Sequence, residues 1–289
     1  MCHIKAIIVI LLLIFPKSGV ADTLLGTDHG TLFVVVYDTN SIVVASDSRI
    51  TTTNGSELKY SDGNEKIHVL NKNHIFYSAG IERLYESGGK TLLKLEDVVK
   101  GIEKNQANSN YQLAEMFAQE LMEKMRTLPK SALQEIKRAS KNMGQENIFE
   151  AEFAGIDPDN SLSIVYVKFY FEDEDPNSKI KYIIRKEAFE GQNISFIGQQ
   201  TELQKAFEDD NSKIGKLIEF RQWKSSFFSK KYLDPFVTAE AFVRLGIKYS
   251  TGTRIEGLGY PVYVYSIDKV NGFKKVKVAN YDQTVSLPY

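Results

Sequence analysis

The 289-residue chain contains little of what several common kinds of site require. It has one cysteine, one tryptophan and four histidines. A single thiol forms no intramolecular disulfide, and so few cysteines and histidines exclude a Cys/His zinc cluster. We therefore expect no metal and no other cofactor, and any chemistry has to use serine, threonine, lysine, carboxylates or the backbone.

An excess of positive charge is also lacking. The chain has 36 Lys and Arg residues against 37 Asp and Glu residues, a formal net charge of −1. Without a net positive field it has no electrostatic attraction for phosphates, so we expect no nucleic-acid partner. With 43% hydrophobic and 25% charged residues, the composition is that of an ordinary globular protein rather than a disordered one.

A ten-residue apolar run, AIIVILLLIF, lies close to the N terminus and follows Lys5. It is shorter than the roughly 20 residues that span a bilayer. The basic flank, the apolar run and the small residues that end at Ala21 are typical of a secretory signal peptide. We predict that residues 1–21 are a signal peptide and that the protein is secreted or periplasmic, without a stable membrane span. A buried strand or a short membrane anchor is the alternative.

From residue 31 the pattern changes to short β-rich runs and two groups of helical periodicity. Strands are predicted at 32–37, 41–46, 66–70, 75–79, 150–155, 162–170, 180–184, up to 198, 260–267 and 273–278, and helices at 92–102, 111–127, 201–207 and 238–249. This order favours two sheets face to face with helices outside each sheet. We therefore predict an α+β fold, a four-layer α/β/β/α sandwich.

The first four strands form two hairpins whose open ends carry polar residues. Opposed residues of a hairpin have numbers with a constant sum, here near 78 or 79 for a turn at 39–40. Thr31 then lies opposite residues 47–48, and a sum near 145 in the second hairpin places Lys66 opposite residues 79–80. If the hairpins are neighbours, the residues that converge are Thr31, Asp47, Arg49, Lys66 and Gly80. A hydroxyl, a carboxylate, two cations and a glycine N–H suit acyl transfer; the alternative is a set of ordinary strand-end and surface residues.

Four stretches of the sequence resemble the β-type subunits of proteasomes, which belong to the N-terminal-nucleophile hydrolases. They read HGTLFVVV at 29–36, IVVASDSR at 42–49, EKI at 65–67 and SAG at 78–80. The resemblance implies a single domain over 31–289 with the α/β/β/α sandwich of that superfamily. It also implies association through helical layers, and thus a homo-oligomer.

By this resemblance Thr31 is the nucleophile, and its own α-amino group is the general base. An α-amine titrates at about 8 and can accept a proton, whereas an amide nitrogen cannot. The resemblance therefore implies that the chain cuts itself between Gly30 and Thr31, which makes residues 22–30 a propeptide.

The resemblance also assigns roles around Thr31. Lys66 is the cation beside the nucleophile and Asp47 holds it, while Arg49 supports the same strand end. The N–H of Gly80 forms the oxyanion hole, and Ser78 lies in a substrate pocket.

The C-terminal half departs from the family pattern, because the usual supporting serine and aspartate are not plainly present. Gln199 and Glu256 are the candidate replacements. An aromatic and basic segment at 221–231, around Trp223, is interpreted either as a surface insertion that packs on the last helix or as a contact for a partner subunit or a membrane surface.

Together these observations predict a threonine-type hydrolase that cleaves peptide or small amide bonds. The competing hypothesis is a non-catalytic, proteasome-like scaffold or binding protein that retains residues 22–30.

Overall fold

The structure is a computed structural model of the chain. It describes residues 25–29, 31–54, 57–86, 89–103, 107, 109–142, 148–172, 179–189, 191–198, 201–229, 232–250 and 258–278. The predicted signal peptide lies outside the described residues, and so do three predicted site residues: Gly30, Gln199 and Glu256.

Strands and helices follow one another in a mixed order along the chain. The strands are β1 (Leu25–His29), β2 (Leu32–Tyr37), β3 (Ser41–Ser46), β4 (Ile50–Asn54), β5 (Glu57–Ser61), β6 (Ile67–Val69), β7 (His74–Gly80), β8 (Arg83–Glu86), β9 (Thr91–Lys94), β10 (Phe149–Ile156), β11 (Leu162–Phe171), β12 (Ile180–Lys186), β13 (Asn193–Gly198), β14 (Val262–Asp268) and β15 (Gly272–Val278). The helices are α1 (Leu95–Glu103), α2 (Asn110–Arg126), α3 (Lys130–Asn142), α4 (Thr201–Glu208), α5 (Ile218–Phe228) and α6 (Pro235–Ser250).

The described strands form three five-stranded sheets, and every pairing within them is antiparallel. The β1 sheet has the order β5-β4-β1-β8-β9, the β2 sheet β13-β2-β3-β14-β15, and the β7 sheet β12-β11-β10-β7-β6.

The β2 and β7 sheets pack against each other through alternate residues of their strands. Phe33 of β2 and Tyr77 of β7 meet across this core with ring centroids 5.1 Å apart. The intervening residues of β2, such as Val34, point to the opposite face, where they join a second core with α4, α5 and α6. Strands buried on both faces read as unbroken apolar runs, which explains the sequence of β2 and β3.

A third core lies on the outer face of the β7 sheet, where α1, α2 and α3 pack. Phe117 of α2 is central to it, with its ring 5.0 Å from Phe76 and 5.6 Å from Phe153. Ser109 caps α2 by accepting a hydrogen bond from the N–H of Gln112, which satisfies one of the free donors at the helix start.

The prediction of an α+β, four-layer α/β/β/α sandwich of the N-terminal-nucleophile hydrolase type is wrong. Antiparallel β-structure dominates the described residues, with fifteen strands in three sheets beside six helices. The β1 sheet has no counterpart in the predicted layers. Its strands were not predicted because they are short and several are polar, as in the threonine-rich Ile50–Asn54, and because β1 pairs with strands that are distant in the sequence.

Several local predictions are confirmed and others need correction. The first hairpin pairs Phe33 with Ser46, a sum of 79 as predicted, and the second pairs Ile67 with Tyr77, a sum of 144 rather than 145. The helix predicted at 92–102 begins at 95, because the first part of that segment is β9. The sequence did not predict α3 or α5.

No helix among the described residues combines the length and the apolar character needed to cross a bilayer.

Candidate functional site

Thr31 lies between β1 and β2 and is almost completely buried, with 2% of its surface exposed. Its carbonyl contacts Gly198 at the end of β13, which has a φ of +86°. A Cβ at Gly198 would come within 2.0 Å of the Thr31 carbonyl oxygen. Only glycine fits this close approach, so Gly198 allows the end of β13 to pack directly against the Thr31 backbone.

A buried ion pair lies next to Thr31. The Nζ of Lys66 is 3.0 Å from the Oδ1 of Asp47, and the two side chains are 1% and 0% exposed. The N–H of Leu32, the residue that follows Thr31, donates to the same Oδ1 at 2.9 Å. The predicted contact between Asp47 and Lys66 is thus confirmed, and it is tied to the backbone at the candidate nucleophile.

The second oxygen of Asp47 also has partners. The N–H groups of Arg49 and Gly259 donate to Oδ2 at 3.0 Å and 3.2 Å. Burial raises the pKa of the Asp47 carboxyl, and the charge and hydrogen bond of Lys66 oppose that shift. Four donors on one buried carboxylate fix its position, and with it the position of the Lys66 ammonium.

The side chain of Arg49 serves another contact. Its Nε and Nη2 donate to the two carboxylate oxygens of Asp62 at 2.7 Å and 2.9 Å, a bidentate pair that raises the pKa of Arg49. The Arg49 side chain is 24% exposed. Arg49 therefore reaches the ion pair through its backbone N–H, while its guanidinium holds the neighbouring loop.

Gly80 ends β7 with a φ of +118°, a conformation that residues with a side chain rarely adopt. A Cβ there would lie 2.8 Å from the carbonyl oxygen of Ile148. Ser78, two residues earlier on the same strand, is buried and faces an open cleft. The strand end thus needs glycine for both conformation and space.

The cleft beside Ser78 has a volume of about 310 Å³. Most of its lining residues have polar or charged side chains. The lining consists of Ile50, Asn64, Glu65, Lys66, His68, Ser78, Glu82, Arg83, Lys94, Leu95 and Glu96. Glu82 connects it with the candidate nucleophile, because the Oγ1 of Thr31 donates to its Oε1 at 3.5 Å. No motif in the sequence points to Glu82, and its position two residues after Gly80 is the one signal that the sequence offers.

The strand that precedes Thr31 in the chain is β1, which is the middle strand of its sheet. β1 pairs with β4 on one side, from Gly26 opposite Asn54 to His29 opposite Thr51. On the other side it pairs with β8. Most of the predicted propeptide therefore forms an extended segment held between two strands and directed at Thr31.

Two segments from the C-terminal half also reach the site, although their predicted residues, Gln199 and Glu256, lie outside the described residues. Gly198 contacts the Thr31 carbonyl, and Gly259 donates its N–H to Asp47. The part of the chain that the structure describes contains no group of three or more His, Cys, Asp or Glu residues placed to hold a metal.

A scan of the sequence against models of known protein families matches none of them, and a search of curated proteins finds no match. The resemblance to proteasome β-type subunits is therefore carried by the residues of this chain alone.

Proposed function

We propose that the protein is a threonine-type hydrolase of peptide bonds, and that it becomes active when its own chain is cut before Thr31. One observation carries the proposal. A buried threonine at the end of an extended strand is followed by Leu32, whose N–H donates to the buried Lys66–Asp47 ion pair.

The chemistry follows from the change at the Thr31 nitrogen. Before the cut this nitrogen is an amide and accepts no proton; after it, a free amine with a pKa of about 8 takes the Oγ1 proton as the hydroxyl attacks a carbonyl. Lys66 supplies the positive charge that stabilises the developing negative charge, and Asp47 keeps it in place. The N–H of Gly80 is the proposed oxyanion donor.

A peptide is the substrate class that the surroundings of Thr31 favour over a small amide. β4 and β8 hold β1 by backbone pairing on both sides. Once the segment before Thr31 is released, the same two strands present their hydrogen-bonding edges to another extended chain. A small amide has no backbone with which to use them.

The length of the purified protein tests the proposal. We expect intact-mass and N-terminal analysis of the wild-type chain to give Thr31 as the first residue, and Thr31→Ala to give a longer chain. That longer chain would begin at Asp22 if the signal peptide is removed as we propose for a secreted or periplasmic protein. Wild-type material should cleave peptide substrates, and Thr31→Ala should not. A folded wild-type chain that keeps a residue before Thr31 would refute the proposal.

The competing function, a scaffold or binding protein that retains residues 22–30, is favoured by the position of β1. Loss of this strand leaves β4 and β8 with unpaired edges at the centre of their sheet. If the scaffold is correct, the wild type and Thr31→Ala have the same N terminus and neither cleaves peptides. Light scattering on the same samples tests the homo-oligomer that we propose.

A further inference from the structure

Self-cleavage before Thr31 requires a general base other than the α-amine of Thr31, which becomes free only after the cut. In the uncut chain the nitrogen of Thr31 is part of a peptide bond, so it cannot take the Oγ1 proton. Another group must do so while the hydroxyl attacks the carbonyl of residue 30. The uncut chain is the state that the structure describes, so the contacts of Thr31 in it bear directly on that group.

The contacts around Thr31 distinguish three ionisable candidates. Asp47 accepts from the Nζ of Lys66 and from three backbone N–H groups, which occupy both its oxygens. Lys66 is a cation held by Asp47, so it donates rather than accepts. Glu82 is the carboxylate that the Oγ1 of Thr31 contacts, at 3.5 Å.

We propose that Glu82 is the general base for self-cleavage before Thr31, an inference that rests on the proposed function. A carboxylate can accept a proton from a hydroxyl, and Glu82 also lines the open cleft beside Ser78. A long hydrogen bond in the resting state is usual for catalytic groups, since such contacts tighten as the reaction proceeds.

The proposed self-cleavage proceeds through an ester and consumes one water. Glu82 takes the proton from Oγ1 as Oγ1 bonds to the carbonyl carbon of residue 30. Glu82 then gives that proton to the nitrogen of Thr31 as the carbon–nitrogen bond breaks, which leaves an ester and a free amine. Water hydrolyses the ester, so the net reaction adds one water, restores the Thr31 hydroxyl and gives residue 30 a carboxyl group. From then on the amine is available as the base for substrates.

Glu82→Gln is the variant that tests this role. Glutamine has the same size and keeps an oxygen that accepts a hydrogen bond from Thr31, but it takes no proton at neutral pH. Full-length protein is made by cell-free translation, and its cleavage is followed by intact mass over time. The matched control is Glu86→Gln, which removes the same charge four residues later, at the end of β8 and outside the cleft lining.

We expect Glu82→Gln to slow cleavage by about 100-fold or more, the usual contribution of general-base catalysis. Glu86→Gln should stay within about threefold of the wild type. In the wild type the rate should rise with pH as one carboxyl ionises and then level off. Glu82→Gln should lose this ionisation, whereas an ionisation that belongs to Asp47 would remain. A merely structural role of Glu82 would lower the rate without removing the pH dependence.

The unfavourable outcomes are distinguishable. If the wild type cuts itself and folded Glu82→Gln does so at a similar rate, Glu82 is not the base, whereas the proposed function stands. A wild-type rate that shows no carboxyl ionisation has the same meaning. If the wild type never cuts itself, both this inference and the proposed function are refuted.

Discussion

At the scale of single residues, the site depends on charges that are removed from water. Lys66 and Asp47 are both buried, and removing charged groups from water costs free energy that only good geometry offsets. The three backbone N–H donors to Asp47 provide part of that geometry. A second buried carboxyl, Glu152, lies between the β2 and β7 sheets and accepts a hydrogen bond from the hydroxyl of Tyr77 at 2.6 Å.

Removing the charge of Asp47 should destabilise the protein strongly. Asp47→Asn leaves the Lys66 ammonium buried without a counter-charge, and breaking such a pair lowers the free energy of unfolding by about 3–5 kcal/mol. Urea denaturation in a Thr31→Ala background measures this at constant chain length. The control is Glu172→Gln, whose partner Lys181 is exposed, and it should cost less than about 1 kcal/mol. Similar losses in both variants would contradict the prediction.

Glu152 should make stability depend on pH. Burial raises its pKa to about 7 from an ordinary 4.5, with contributions from Glu187 and Glu150 that the Tyr77 hydrogen bond and Lys168 oppose. Between these two values the folded protein binds more protons than the unfolded chain, so stability decreases as pH rises through that range.

Glu152→Gln removes this titration. We expect its melting temperature to fall less than that of the wild type between pH 5 and pH 8. The control, Glu172→Gln, alters an exposed carboxyl that does not contribute to the pKa of Glu152, and should keep the wild-type pH dependence. An unchanged profile in Glu152→Gln would show that another group titrates there.

At the scale of elements, strand ends determine the geometry of the site. β7 ends at Gly80 and β13 ends at Gly198, both with positive φ, and each approaches another backbone closely. β1 ends directly before Thr31 while its neighbours β4 and β8 hold it on both sides. The candidate site residues thus lie where strands of different sheets meet.

Adding a side chain at Gly80 should destabilise the protein at this strand end. Gly80→Ala combines a positive φ with a Cβ 2.8 Å from the Ile148 carbonyl oxygen, and should cost about 2–4 kcal/mol. Gly63→Ala is the matched control, because Gly63 has a φ of +84° with nothing within 4 Å of the added Cβ. It should cost about 1 kcal/mol. If urea denaturation gives equal losses of unfolding free energy for Gly80→Ala and Gly63→Ala, the backbone conformation and not the contact with Ile148 determines the cost at Gly80.

At the scale of the whole molecule, three hydrophobic cores are stacked on the two faces of the β2 and β7 sheets. Because each of these sheets contributes to two cores, loss of one core exposes a face of a sheet that the next core needs. The single tryptophan, Trp223, is fully buried in the core with α4–α6, where its ring centroid is 4.6 Å from that of Phe242 on α6. This contact confirms that the segment around Trp223 packs on the last helix.

Trp223 therefore reports on the cooperativity of the predicted single domain, residues 31–289. We expect its fluorescence to shift to the red at the same urea concentration at which far-UV circular dichroism is lost. Trp223→Phe, which fills most of the same space, is the control for signals that come from tyrosines. Two separate transitions would show that the α4–α6 core unfolds on its own.

The amino-acid sequence by itself determined the strands of the two hairpins, most of the helices and the contact of Asp47 with Lys66. These follow from local patterns, because alternation, apolar runs and turn residues act over a few positions. Even here a local pattern misled, since the leucines at 92–93 belong to β9 and not to a helix.

Only the tertiary structure decided the β1 sheet, the contact between Thr31 and Glu82, and the N–H that Gly259 donates to Asp47 from 212 residues away. Each of these depends on which distant segments come together, and a short polar strand carries no mark of its partner. For that reason the sequence predicted four residues that carry the proposed chemistry, whereas the fold around them, and the group best placed to receive the Thr31 proton, emerged only from the packed chain.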